Sequence, residues 1–155
     1  MTDPSDKPNV VALPPLIYLA ALVGTFVMNA LLPLRLPVGT LVGWAGGGLM
    51  VAAVGLAITA RRAFARAGTN VNPMQPATAI VASGPYRWTR NPMYAGMTAL
   101  LVGFSLATRM AWALILLAPV LAIMHWGVVL REERYLTRKF GAEYEAYRAQ
   151  VRRYL

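Results

Sequence analysis

Four apolar segments alternate with polar connectors along this chain. Residues 10–32, 41–60, 93–108 and 110–130 contain no Asp, Glu, Lys or Arg. A helix needs about 20 apolar residues to cross the hydrocarbon core of a membrane. Three of the segments reach that length, and residues 93–108 fall somewhat short of it. The pattern therefore predicts four transmembrane helices.

The connectors predict how these helices are arranged. A tight turn with two prolines, residues 33–39, separates the first two segments, and Arg109 alone separates the last two. Connections this short join antiparallel neighbours. We therefore predict two antiparallel hairpins, joined by a long cytoplasmic loop over residues 61–92.

Residues 131–155 change sharply in composition and form a charged tail. Leu136 and Phe140 are four residues apart, and Tyr144 and Tyr147 are three apart, so each pair shares one face of a helix. Glycine at position 141 interrupts this pattern. The tail is therefore predicted to be an amphipathic cytoplasmic helix, or a pair of helices broken near that glycine.

Composition places the protein in a membrane. The 155 residues are 57% hydrophobic and 14% charged, whereas soluble domains are roughly 25% charged. We expect an all-α, polytopic membrane protein with a single domain over residues 1–155. The chain has no cysteine, which excludes disulfides, a thiolate nucleophile and a cysteine metal site.

The distribution of charge predicts the orientation. Fifteen Lys and Arg against six Asp and Glu give a net charge of +9. If both termini are cytoplasmic, only Arg35 and Arg109 lie on the far side, which agrees with the tendency of basic residues to stay inside. We therefore expect an integral protein of the plasma (inner) membrane with both termini cytoplasmic, and no nucleic-acid partner. The loop, the turn after it and the tail then share one face.

Two clusters on that face carry candidate chemistry. The first is the turn Arg90-Asn91-Pro92-Met93-Tyr94, and the second is the adjacent pair Glu132 and Glu133. Neighbouring residues on a helix point about 100° apart, so one glutamate can face a pocket while the other meets an arginine or solvent. An alternative is that both glutamates only neutralise nearby arginines.

Two further features each have two interpretations. His125 is the only histidine and lies near the cytoplasmic end of the fourth span, so it is either a functional residue or an interfacial side chain bonded to a neighbouring helix. No metal site is expected around it. Gly43 and Gly47, extended by Gly46 and Gly48, have the spacing of close helix packing, although a ligand could also pass there.

The motifs resemble a known superfamily. Gly-Pro-Tyr-Arg-x-x-Arg-Asn-Pro-Met-Tyr, a helical hairpin and then Glu-Glu-x-x-Leu-x-x-x-Phe-Gly-x-x-Tyr-x-x-Tyr resemble the isoprenylcysteine carboxyl methyltransferase and phospholipid methyltransferase superfamily of membrane enzymes. The likeness covers roughly residues 69–153. One departure is Asn91, because the commonest residue of the superfamily at this position is histidine.

The resemblance implies a methyltransferase that binds S-adenosylmethionine in a cytoplasmic pocket. A lipophilic acceptor, with a carboxylate or an amine, would reach it from the bilayer, and membrane lipids would be its partners. The candidate catalytic residues are Glu132, Glu133 and Asn91. The cofactor-binding residues that the resemblance carries over are Arg90, Asn91, Pro92, Tyr94, Glu132, Glu133, Tyr144 and Tyr147. Tyr86 and Arg87 of the same turn and His125 of the fourth span are added as further candidates for cofactor binding.

Roles follow from the chemistry of each side chain. Arg90 and Asn91 are assigned to the polar ends of the cofactor, Tyr94 to packing or hydrogen bonding against it, and the glutamates to its ammonium group or ribose hydroxyls. An amine or phenol acceptor would need a base, for which Glu132 or Glu133 is the hypothesis, whereas a carboxylate would not. Asn91 cannot take up a proton.

Two other functions remain open. The likeness extends to membrane sterol and enone reductases, so an NADPH-dependent reductase is one alternative. A small scaffold or transporter is another, and a homo-oligomer could use the glycine-rich second span as its contact face. The spans offer no Asp or Glu for ion coupling, which disfavours proton-coupled transport.

Overall fold

The computed structural model describes residues 6–154, which form an all-helical protein. Its five α-helices are α1 (Pro14–Leu31), α2 (Thr40–Ala67), α3 (Pro92–Thr108), α4 (Trp112–Phe140) and α5 (Ala142–Gln150). A short 3-10 helix, Gly84–Arg87, precedes α3. The predicted all-α class is therefore confirmed.

Three of the helices are long and apolar enough to cross a membrane. These are α1, α2 and α4, with 18, 28 and 29 residues, whereas α3 is apolar but has only 17. The far end of α3 lies beside the turn between α1 and α2, because Leu36 N–H donates to Arg109 O and Ala111 N–H to Leu34 O. A fourth span over α3 stays a prediction.

Several predicted boundaries are wrong by a few residues. The first helix begins at Pro14 rather than at residue 10, with proline at the first helical positions, where a missing N–H costs nothing. The second continues beyond residue 60 to Ala67, so residues 61–67 belong to a helix and not to the loop. Arginine is a good helix former, and the helix ends only where Gly68 takes a positive φ of 65°.

The tail does not begin as a separate helix. α4 continues from the fourth apolar segment to Phe140 and includes a π-helical stretch, Ile123–Val129, beyond Pro119. Gly141 then ends α4 at a φ of 51°, and α5 follows. The break near this glycine was predicted correctly, whereas the continuity of the fourth span with the start of the tail was not predicted.

The helices of the first predicted hairpin do not pack on each other, whereas α3 and α4 of the second one do. In the described part of the chain α2 packs mainly on α3, α1 packs on α4, and α1 and α2 share no extended contact. A Cβ added to Gly46 would lie 2.7 Å from Gly103 O, and one added to Gly103 would lie 2.7 Å from Gly46 O. These glycines let the backbones of α2 and α3 approach closely, which explains the choice of partner.

Close packing is therefore the correct interpretation of the glycine-rich second span, although not every predicted glycine takes part. Gly46 meets the backbone of α3, a Cβ added to Gly43 would lie 3.8 Å from Leu106 O, and one added to Gly47 or Gly48 would have nothing within 4 Å. The outer faces of the helices are apolar and exposed, for example Leu41 and Trp44. Such surfaces are typical of helices that face lipid.

Candidate functional site

A cavity of about 450 Å³ lies at one end of the helices, where distant parts of the chain meet. Its wall comes from an N-terminal strap (residues 6–13), the start of α1, the loop 68–83, the turn and start of α3, the C-terminal part of α4, and α5. Most of the lining is apolar. The polar side chains in it are those of Asn70, Asn72, Gln75, Tyr86, Arg90, Asn91, Tyr94, Glu132, Tyr135, Tyr144 and Tyr147.

An Arg–Glu–Arg group includes Arg90, which lines this cavity. Glu133 accepts two hydrogen bonds from Arg153, at 2.9 and 2.8 Å, and forms an ion pair with Arg90 at 3.0 Å. The side chains of Glu133 and Arg90 are 9% and 8% exposed. A buried carboxylate needs such partners, and the forked guanidinium of Arg153 suits it. The carboxylate of Glu133 is therefore already bound by two arginine side chains of the protein.

Arg90 keeps donors that the protein does not use. Only its Nη2 atom reaches Glu133, and its Nε and Nη1 atoms are buried without a hydrogen-bond partner. Buried donors of this kind are rare because leaving them unpaired is costly. Since Arg90 also lines the cavity, these two N–H groups are available to an anionic group of a ligand.

Glu132 faces the cavity on the other side of the helix from Glu133. Its Oε1 atom accepts a hydrogen bond of 2.7 Å from the hydroxyl of Tyr94, and both residues line the cavity. In contrast to Glu133, it forms no ion pair within residues 6–154. Its carboxylate is therefore the one that can meet a cation or a hydroxyl group of a ligand.

Asn91 joins the turn to the end of the chain. Its side-chain Nδ2 donates to Arg153 O at 3.0 Å, and its backbone N–H donates to Thr89 Oγ1 at 3.2 Å. Arg90 N–H donates to Arg152 O at 2.9 Å. Asn91 also lines the cavity, so one residue both anchors the tail and contributes to the wall.

Three tyrosines connect the turn with α5. The hydroxyl of Tyr147 donates to Tyr86 O at 2.8 Å, and the ring of Tyr86 packs edge-on against Phe64 at 5.3 Å. Tyr144 is 2% exposed. Burial raises the pKa of all three hydroxyls. All three hydroxyls therefore stay protonated at neutral pH, and that of Tyr147 acts as a hydrogen-bond donor.

Four of the predicted site residues lie away from the cavity wall, and Glu133, described above, is one of them. Arg87 is exposed on the surface of the turn. Pro92 is buried as the first residue of α3 and fixes where that helix begins. His125 forms a hydrogen bond of 2.7 Å between Nδ1 and the Tyr154 hydroxyl, so its partner is the C-terminal end of the chain. This agrees with the simpler interpretation of His125 as an interfacial side chain.

Two residues of the site were missed by the sequence interpretation. Arg153 holds Glu133, although in the sequence it stands in a basic end that is typical of a membrane interface. Tyr135 is buried; its hydroxyl accepts from Ala77 N–H and donates to Asp6 Oδ1. In the sequence Tyr135 stands three residues after Glu132, and this closeness to the glutamate pair was the signal that could have identified it as a site residue.

The fold and the cavity define a class of protein. Long apolar helices carry a mostly apolar cavity at one end, with an arginine and a carboxylate that are both open to a ligand, as in an integral membrane protein with a small-molecule site. Residues 41–143, about two thirds of the chain, match the family model for phospholipid methyltransferase. The chain therefore belongs to this family of membrane methyltransferases.

The matched region contains the turn and both glutamates of the site. It ends before Tyr144, so that residue, Tyr147 and Arg153 lie outside it. No curated protein and no solved structure matched the chain.

Proposed function

We propose that the protein transfers a methyl group from S-adenosylmethionine to a lipophilic acceptor, a carboxylate or an amine, that reaches the cavity from the bilayer. The observation that carries this proposal is the pairing of unused buried Arg90 donors with a separate open carboxylate, Glu132, inside one apolar cavity. Most of the residues that line the cavity, among them Arg90 and Glu132, lie in the region that matches the methyltransferase family.

The residues of the cavity suit the parts of this cofactor. S-adenosylmethionine carries a carboxylate, an ammonium group, ribose hydroxyls and an apolar ring system. The unpartnered Nε or Nη1 group of Arg90 would donate a charge-assisted hydrogen bond to the carboxylate. Glu132 would accept from the ammonium group or the ribose. Glu133 already forms ion pairs with Arg90 and Arg153. Of the two glutamates that the sequence assigns to the cofactor, we therefore keep only Glu132 for this role.

Methyl transfer requires the protein mainly to position the two reactants and to exclude water from them. When bound, the cofactor supplies an electrophilic methyl group, and methyl transfer is an in-line displacement. Holding two reactants in line and excluding water can supply a large part of the acceleration. For an amine or phenol acceptor, Glu132 is the group that would take up the proton. A carboxylate acceptor would need no base.

The apolar wall supports a lateral route for the acceptor. Leu16 of α1 lines the cavity and is also 56% exposed on the outer surface of the helix. Met93 and Met97 of α3 line the same cavity. Flexible methionine side chains adapt to ligands of different shape. An acyl or prenyl chain could therefore pass between the membrane and the cavity at this wall.

Incubation of the purified, reconstituted protein with radiolabelled S-adenosylmethionine and a membrane lipid extract tests the proposal. We expect label in one lipid fraction, and we expect S-adenosylhomocysteine to suppress it. In parallel, S-adenosylhomocysteine should raise the melting temperature and NADPH should not, since a ligand stabilises the state that binds it. Stabilisation by NADPH alone, with no label in lipid, would instead support a reductase.

A further inference from the structure

A second concave surface lies behind the cavity, on the other side of α4. Two adjoining grooves share Arg134 and Arg138, and together they form an arginine trough. One groove adds Arg131 beside the N-terminal strap, and the other adds Arg148 and Arg153 from α5 and the chain end. None of these arginines was assigned a function by the sequence interpretation.

The positive charge of the trough is compensated only in part, because Arg153 pairs with Glu133, which lines the same groove, and Arg148 pairs with Glu145. Within residues 6–154, no carboxylate forms an ion pair with Arg131, Arg134 or Arg138. Arg131 donates to Asn9 O at 2.9 Å, and Arg134 uses its Nε to donate to Leu130 O at 3.1 Å. These contacts hold the guanidinium groups in place without neutralising them, so the trough attracts anions.

The trough continues an exposed apolar stripe on the same helix. Ile123 and Trp126 are 44% and 64% exposed, Leu130 is half-buried at the edge of the groove, and Arg134 and Arg138 follow one and two turns later. The stripe therefore changes from apolar to cationic along the axis of a membrane helix. A phospholipid has the same order of chemistry, with acyl chains next to a phosphate.

We propose that the arginine trough binds the phosphate headgroup of an anionic membrane phospholipid whose acyl chains lie along Ile123, Trp126 and Leu130. Arginine is suited to this ligand because its planar fork meets two phosphate oxygens at once. The site is separate from the cavity and does not depend on the proposed methyl transfer. It would fix the depth and rotation of α4 in the cytoplasmic leaflet.

Native mass spectrometry of the full chain in a neutral detergent tests this inference. The probe is dioleoyl phosphatidylglycerol, with dioleoyl phosphatidylcholine as the zwitterionic lipid and inorganic phosphate as the free anion. The variant is Arg134→Gln/Arg138→Gln, whose side chains are exposed, so that the fold should be retained. The matched control is Arg61→Gln/Arg62→Gln, two exposed arginines near the end of α2 and outside the trough.

We expect the wild type to bind phosphatidylglycerol more tightly than phosphatidylcholine. Each arginine removed from the trough should weaken binding about fivefold, or roughly 25-fold for the pair, and the control should stay within about twofold. Equal losses in both double variants would overturn the inference, because they would indicate diffuse surface charge. Displacement of phosphatidylglycerol by inorganic phosphate alone would also overturn it, in favour of a site for a free anion.

Discussion

Glu132 and Glu133 are neighbours in the chain and have opposite surroundings. Glu133 is buried between Arg90 and Arg153, whereas Glu132 bonds to Tyr94 at the cavity wall. The direction in which each side chain leaves the helix decides the difference. One glutamate therefore stabilises the fold, and the other is free to meet a ligand.

Replacing Glu133 should destabilise the protein strongly. Glu133→Gln would leave the buried Arg90 guanidinium without the charge partner that it has within residues 6–154, and removing one member of a buried ion pair costs about 3 kcal/mol or more. Thermal unfolding of the purified variant should show a clearly lower melting temperature. Glu145→Gln is the control, because Glu145 pairs with Arg148 at 3.5 Å on the surface and should contribute less than about 1 kcal/mol. Similar melting temperatures for the two variants would contradict this account.

Asp6 should make the attachment of the strap depend on pH. Its hydrogen bond from Lys139, with a second from Tyr135, lowers the pKa of Asp6 below the usual value of 3.8. A lowered pKa in the folded state stabilises the protein at pH values above 3.8, and this stabilisation is lost as the pH falls. Asp6→Asn should therefore melt at a lower temperature than the wild type at neutral pH. The two melting temperatures should converge in acid, and a constant gap at all pH values would be evidence against this contact.

At the scale of elements, one contact between glycines decides how the helices pair. Gly46 and Gly103 bring α2 and α3 together so closely that a methyl group on either would lie 2.7 Å from the backbone of the other helix. α1 is thereby left to pack on α4 instead of on α2. Tight turns between consecutive helices do not by themselves fix which helices pack together.

This contact predicts different outcomes for two adjacent glycines. Gly46→Ala should force α2 and α3 apart and cost about 1–3 kcal/mol, since the new methyl group would meet backbone atoms that cannot move aside. Gly47→Ala has open space and should be neutral, or stabilising by less than about 1 kcal/mol. Melting temperatures of the two variants in the same detergent make the comparison, and an equal effect would contradict the proposed crossing.

The ends of the helices could be predicted from the sequence better than which helices pack on each other. Pro92 starts α3 and Gly141 ends α4, because both residues act locally on the backbone. The extension of α2 to Ala67 was missed, since arginines at a membrane boundary look alike in a helix and in a loop. The π-helical stretch over Ile123–Val129 has no local signal, and its Gly127 O is satisfied by the distant Val11 N–H.

At the scale of the whole molecule, the location of the site was predicted from the distribution of charge and the order of the motifs rather than from any single residue. The turn, the loop, the tail and the glutamates were expected on one face, and the structure brings them to one end of the helices. The Glu133–Arg153 pair could not be predicted, because it depends on how the chain end returns across the turn. The contacts of Tyr135 with Asp6 and Ala77 could not be predicted either, because they join three segments that are far apart in the sequence.

Cysteine labelling can test the membrane topology directly, because the chain contains no natural cysteine. We expect Arg35→Cys to react with an impermeant maleimide in intact cells, since it lies at the far end of the helices beside Met110. Lys7→Cys and Arg61→Cys should react only after the membrane is opened. Labelling of Arg61→Cys in intact cells would contradict a topology with four spans and cytoplasmic termini.

The central claim is that Glu132 and the cavity around it bind the cofactor, and calorimetric titration with S-adenosylhomocysteine tests it most directly. We expect the wild type to bind and Glu132→Gln to bind at least about tenfold more weakly, because a charge-assisted hydrogen bond is worth about 1.5–3 kcal/mol. Glu143→Gln, an exposed position on α5 outside the cavity, should bind as the wild type does. Equal affinity in all three proteins, or no binding to the wild type, would contradict the account.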